Sequence, residues 1–423
     1  MRATKNSGFE WIGEIPTSWE LYKGKYMFTQ RNLCGNTIEL QLLSPTQKYG
    51  VVPQSVYEDR SGMNAVKLNE NANLSALKTI HKGDFCISLR SFQGGFEYSE
   101  YEGVVSPAYQ VFYPVVKVAR GYYKYLFKDS GFIEKMNSYT MTLRDGKNIA
   151  FADFGNTYIP CPPVDEQQRI ADFLDTKCAE IDALTADIQT QIDTLEQYKR
   201  SVITETVTKG LNPNVEMKDS GIEWVGEIPV HWPVHPVYSY YGERKNKNRL
   251  GKEDNLLSLS YGRVIRKDIN TNDGLLPESF NTYNIVEAGD IIIRPTDLQN
   301  DKRSLRTGLV KEHGIITSAY IDLCPLKQVD SRYFHFLLHA YDVMKVFYNM
   351  GNGVRQGLNY SEFSRLMVFE PPYEEQVAMA DYLETKVTEV DAIIEQKKEQ
   401  MAVLDAYKRS LIFEYVTGKK EVI

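Results

Sequence analysis

Apolar residues recur at helical spacing along residues 164–208. Leu174, Ile181, Leu184, Ile188, Leu195, Tyr198 and Val202 follow one another largely at intervals of three, four or seven, the seam pattern of packed long helices. No Gly or Pro interrupts the run before Gly210, and Pro213 stands beyond it as a stop. The spacing predicts one helix of about 44 residues, roughly 65 Å long, which is oversized for an ordinary domain core.

The same rod is written twice. Residues 371–417 align with 162–208 without a gap at a constant offset of 209, with 22 of 47 positions identical. The second stripe reads Leu383, Val390, Ile393, Leu404, Tyr407 and Leu411. It is less clean, because Lys397 stands where Ile188 does and Ile394 and Met401 broaden the apolar face. Gln191 and Gln400 share one seam position near mid-rod. Two readings stand for them: a buried polar layer that fixes the register of an antiparallel pair, or a solvated Gln at a loose seam.

Between the rods the period changes. Runs such as IELQLLS, GDFCISLRSF, GVVSPAYQVFYP and NTYIPCPP, punctuated by Gly, Pro and Asn, predict a mostly β domain with a few helices over 20–161. Residues 233–370 repeat that plan weakly. Leu42-Leu43-Ser44 matches Leu256-Leu257-Ser258, Gly83-Asp84 matches Gly289-Asp290, and Arg144-Asp145-Gly146 resembles Arg355-Gln356-Gly357.

A shorter motif precedes each domain. SGFEWIGEIPTSW at 7–19 returns as SGIEWVGEIPVHW at 220–232, with nine of thirteen positions identical, and reads as a structural turn packed on a Trp. The motif follows the first rod directly. Closing the chain into a ring would make it follow the second rod as well. The expected fold is α+β: two mixed, mostly β domains joined by two long antiparallel coiled-coil helices, with circular pseudo-two-fold symmetry and neighbouring termini. The expected segments are 1–161, 162–210, 211–370 and 371–423.

Charge changes the picture through its distribution. The 423-residue chain carries a net −7, but residues 165–208 hold −6 and 374–417 hold −5, which leaves the remainder at +4. Acidic rods carrying mildly basic domains can still present a basic face to phosphate. Five cysteines without a C-x-x-C pair fit a reducing compartment and give neither a disulfide framework nor a zinc site. No apolar leader and no run of about 18 apolar residues occurs, so a soluble, cytoplasmic protein is expected.

Catalytic motifs are thin. Glu370-Pro371-Pro372-Tyr373 is similar to the Pro-Pro-Tyr loop of adenine methyltransferases, but its repeat partner is Cys161-Pro162-Pro163-Val164 and no glycine-rich cofactor loop accompanies either. Pro-Pro before a long helix reads more simply as a helix start. His335 and His339 have zinc-like spacing without the Glu of H-E-x-x-H, and their aligned positions are Lys124 and Lys128. Asp175-Thr176-Lys177 and Glu384-Thr385-Lys386 imitate a nuclease fragment inside the rods.

Basic and amide side chains among aromatics remain. The first domain offers Lys48, Arg90, Gln93, Arg144 and Lys147. The second offers Tyr261, Arg263, Arg266, Arg294, Gln299, Lys302, Arg303, Arg306, Arg355 and Gln356. Arg and Lys can pair with guanine and Gln with adenine, while further cations neutralise phosphates. Each alone reads as surface charge; as a set on two matched domains they point to DNA.

The two Trp-Gly-Glu-Ile-Pro motifs, the PPxxEQ helix starts at 162–167 and 371–376, the Tyr-Lys-Arg-Ser segments at 198–201 and 407–410, LSLSYGRV and GDIIIRPTDLQND together resemble the specificity subunits of type I restriction–modification systems. The resemblance implies two target-recognition domains, each reading half of a split double-stranded DNA sequence, with the helices setting the gap. It implies two methyltransferase subunits as partners, with ATP-dependent restriction subunits as a further association. S-adenosylmethionine, ATP and Mg²⁺ would belong to those partners, with no cofactor, metal or catalytic residue on this chain. A coiled-coil adaptor that binds protein alone is the other class of reading, and a single-chain methyltransferase or nuclease lacks the motifs it needs.

Overall fold

The computed structural model describes residues 2–422 apart from 35–39, 66–73, 88–94, 140–148, 270–278, 297, 299–304, 347–349 and 351–356. Both rods form as predicted, Val164–Lys209 and Tyr373–Val416, each one uninterrupted helix. The chain divides into two compact units, Met1–Ile188 with Lys398–Ile423, and Gln189–Lys397. The division differs from the expected segments because it falls inside both rods. Each unit is one variable domain plus half of either helix.

In the first unit an antiparallel sheet runs Phe28–Gln30, Gln110–Pro114, Phe85–Ile87, Phe96–Tyr98 in spatial order. Phe28, Phe85, Phe112, Phe127 and Phe154 pack ring on ring in its core, with neighbouring centroids 5.0–5.9 Å apart. The second unit repeats the order with Tyr241–Glu243, Ile321–Pro325, Ile291–Ile293 and Thr307–Leu309. Its core is aliphatic and tyrosine-rich instead: Ile291, Ile293, Leu323, Leu337, Tyr241 and Tyr333. The same volume filled by different apolar residues keeps a fold while erasing identity.

Within each unit the rod halves run antiparallel. In the first, the Phe173 and Tyr415 rings lie 4.5 Å apart and Lys408 reaches Asp182 at 2.6 Å. In the second, Lys199 reaches Asp391 at 2.8 Å, and Ile203 and Val207 share a core with Met379 and Leu383.

The seam corrects the sequence reading by one residue in every second position. Leu174, Ile181, Ile188, Leu195, Leu383, Val390 and Leu404 are buried or half-buried, as expected. The second row is Cys178, Thr185, Ile192 and Lys199, with Val387, Ile394, Met401 and Lys408 on the other rod. The expected Leu184, Tyr198, Ile393 and Tyr407 are 54%, 50%, 42% and 54% exposed. Gln191 and Gln400 are exposed too, which removes the buried polar layer. Steps of three or four both satisfy a heptad, and the true row was disguised because lysine stems fill seam positions with their methylenes.

Candidate nucleic-acid interface

The repeated motifs form joints, matched in detail in the two units. The Trp19 indole N–H donates to Glu166 Oε2 at 3.0 Å, and the Trp232 N–H to Glu375 Oε2 at 3.0 Å. The next rod residue closes the corner: Gln167 donates to the Pro162 carbonyl at 2.7 Å and accepts from Ala119 N–H at 2.9 Å. Gln376 does the same with the Pro371 carbonyl, 2.8 Å, and Asp330 N–H, 2.9 Å. The tyrosine of each domain helix clasps the other rod's end, Tyr122 on the Val416 carbonyl at 2.6 Å and Tyr333 on Val207 at 3.2 Å. Each rod finishes at a left-handed glycine against the motif Trp; a Cβ on Gly418 would meet Pro16 at 2.5 Å. The Pro-Pro corners are thus helix starts, and the Trp turns are structural, as read from the sequence.

Other suspected motifs are absorbed in the same way. Asp175 accepts from Lys124 at 3.1 Å and the Tyr125 hydroxyl at 2.7 Å, and Glu384 from Arg332 at 3.0 Å. These carboxylates dock a domain helix on a rod. Burial, with like charges nearby, pushes His335 down to about 3 and His339 down to about 4, so both are neutral at pH 7. Among the described residues no group of three potential ligands could hold a metal ion.

The described DNA candidates concentrate on hairpins. In the second unit Leu257–Ser260 pairs with Arg263–Arg266 across a two-residue turn. Tyr261 occupies the tip at φ +48° and is 73% exposed, with Gly262 at φ +78°. Arg263 reaches back to Asp391 on the rod at 2.7 Å, and Arg266 pairs with Glu312. Leu259 and Val264 seat the hairpin on the sheet, where a Cβ on Gly308 would lie 2.5 Å from Leu259. The first unit's counterpart, Leu43–Thr46 with Gly50–Pro53, carries exposed Lys48 at its turn, 5.2 Å from the Tyr49 ring.

Arg294 is exposed just past Ile291–Ile293. Arg306 is a correction. It is 4% exposed, its guanidinium donates to the Arg294 carbonyl at 3.3 Å and to the Thr296 carbonyl, and its backbone N–H donates to buried Asp342 at 2.7 Å. A guanidinium satisfied by carbonyls under the surface pins the strand end instead of touching a duplex. Arg90, Gln93, Arg144, Lys147, Gln299, Lys302, Arg303, Arg355 and Gln356 lie outside the described residues.

The sequence reading missed Asp391, which accepts from both Lys199 and Arg263, because 128 residues separate it from the hairpin. It also missed two buried acids. Glu97, against Lys128 at 2.6 Å, is pushed up to about 7 by burial. Asp322 is pushed up to about 8 by burial and by Asp290 beside it.

Residues 18–194 match the family model described as the type I restriction modification DNA specificity domain. Two curated proteins of Methanocaldococcus jannaschii align as well. One is a putative type I restriction enzyme specificity subunit, MjaX, 25% identical over 62% of this chain and 59% of its own length. The other is the MjaVIII specificity subunit, 26% identical over 67% of this chain and 68% of its own. A chain from a structural study of type I restriction–modification complex assembly superposes at a TM-score of 0.71, 13% identical, covering 96% of this chain and 99% of that one. Residues 18–194 are thus similar in sequence to type I DNA specificity domains, and the chain as a whole shares the fold of that solved chain. The HsdS subunit from Thermoanaerobacter tengcongensis shares the fold at a TM-score of 0.51, 14% identical, over 96% of this chain and 98% of that one. The matched joints give this chain one scaffold written twice, while the hairpins above it differ. No helix among the described residues is long and apolar enough to cross a membrane.

Proposed function

We propose that this chain reads double-stranded DNA for a type I restriction–modification complex in the cytoplasm, each variable domain recognising one half of a bipartite sequence. The observation that carries this is the contrast between joints repeated hydrogen bond for hydrogen bond and unlike hairpins bearing Lys48 in one unit and Tyr261, Arg263 and Arg266 in the other. A scaffold kept constant beneath two surfaces suits two different half-sites. The rods set the separation between them.

The chain itself is non-catalytic. Two methyltransferase subunits dock on the rods, where Leu184 and Ile393, and Tyr198 and Tyr407, are exposed repeat partners. S-adenosylmethionine belongs to those subunits, and ATP and Mg²⁺ to restriction subunits that join them. Co-expression with a methyltransferase subunit of its system should place N6-methyladenine at one bipartite sequence, read by single-molecule sequencing, and the chain alone should place none. Methylation by the chain alone, free of partner by mass spectrometry, overturns the reading. Stable assembly with a partner but no sequence preference would leave a protein-binding adaptor.

A further inference from the structure

The second unit carries a strained, exposed aromatic at the tip of a hairpin. The type I′ two-residue turn between paired strands has positive φ at both central positions, as here, which is why Asn-Gly dominates in it. Here the first position is Tyr261, at φ +48°. A bulky residue in that region is disfavoured, and a strained conformer at an exposed site is a pointer from geometry to function. Gly262, at φ +78°, carries the other half of the turn without cost.

The ring is not filling a core. Tyr261 is 73% exposed at the turn of two paired strands. The ladder runs Leu257↔Arg266 through Ser260↔Arg263. Gly308 lets Leu259 and Val264 sit directly on the neighbouring strand. Arg263, in the strand pair that closes the turn, ties the hairpin to Asp391, which is itself held by Lys199 of the other rod. The phenol ring is thus presented on a hairpin anchored both to the neighbouring strand and, through Arg263, to the rod.

We infer that Tyr261 is a base-contacting, specificity-determining residue of the second half-site, with its ring set against bases in a groove while neighbouring cations take phosphates. This deepens the DNA-reading assignment and rests on it. The first unit has no equivalent at its hairpin. Tyr49 is half-buried, its hydroxyl donates to the Arg60 carbonyl at 3.2 Å, and Lys48 and Arg60 stand over its ring.

The test compares wild type with Tyr261→Asn and Tyr261→Phe, each as the full chain with its methyltransferase partner, on randomised bipartite duplexes. Asn suits positive φ, so Tyr261→Asn should keep or raise the melting temperature while discrimination at one or two second-half positions falls about 5- to 100-fold. First-half discrimination should not change. Tyr261→Phe should retain most of the discrimination if the ring does the reading. Unchanged discrimination in Tyr261→Asn, an equal loss on every sequence, or a lowered melting temperature each overturns the inference. Absence of sequence preference in the wild-type arm would instead fell the DNA-reading assignment itself.

Discussion

The hairpins of the two units make opposite use of a tyrosine. In Leu43–Thr46 and Gly50–Pro53 the turn is longer, and Tyr49 is tucked down by its hydroxyl and by two cations. In Leu257–Ser260 and Arg263–Arg266 the turn is two residues, and Tyr261 stands out at positive φ. Beneath both, the Trp–Glu and Gln–Pro joints agree to within about a tenth of an ångström. Divergence is thus confined to what the scaffold presents, while the joints that orient it stay fixed.

Breaking the joints should have the largest effect, and an equal one on both sides. Trp19→Ala and Trp232→Ala each remove a fully buried ring and its hydrogen bond to a rod carboxylate, so each should cost its unit about 3–5 kcal/mol. Denaturant unfolding followed by hydrogen exchange should show the loss in the mutated unit first. A loss confined to one of the two variants would mean the joints are alike in geometry and unequal in weight.

The buried acid of the second sheet sharpens the comparison next. Asp322 pairs in register with Ile292, where the first unit has Val111 opposite Cys86. Its folded-state pKa of about 8 lies above the usual carboxylate value, so folding favours its protonated form. The penalty is absent below about pH 4, grows as pH rises through the gap, and is complete above about pH 8. Asp322→Val should therefore raise the unfolding free energy at pH 8 by roughly 2–4 kcal/mol and change it little at pH 4. A gain of equal size at both pH values would assign the effect to packing alone.

The smallest effect is expected at the tie between the hairpin and the rod. Arg263 is largely exposed, so Arg263→Ala should cost under about 1 kcal/mol of stability, screened further by salt. Its larger consequence should be faster amide exchange in the hairpin. Unchanged exchange would show that Asp391 does not stiffen it.

Much of this architecture is legible in the chain. The rods follow from their period and lack of breakers, and the joints from residues repeated at fixed offsets. The seam was half legible, because Leu174, Ile181 and Ile188 define one row while Cys178, Thr185 and Lys199 disguise the other. Arg306 reads in the sequence like any other cation of its run, since nothing local distinguishes a cation that will bond carbonyls from one that meets phosphate. Asp391 and Asp322 act through partners brought by the fold from far along the chain, and spacing carries no trace of such meetings.

At the end of the second rod, Arg2 donates to the Gly418 carbonyl at 3.3 Å and Lys419 donates to the Ile12 carbonyl at 2.8 Å and to that of Glu14. At the end of the first rod, the matching link from Gly210 to the Trp232 motif is covalent chain. A few side-chain contacts therefore stand where a peptide linker stands in the other unit. Connectivity at these two places is interchangeable to the extent that local concentration replaces a bond. A gene rewritten to open at residues 211–216 and to bridge residues 422 and 2 with a short flexible link would encode the same contacts in a new order.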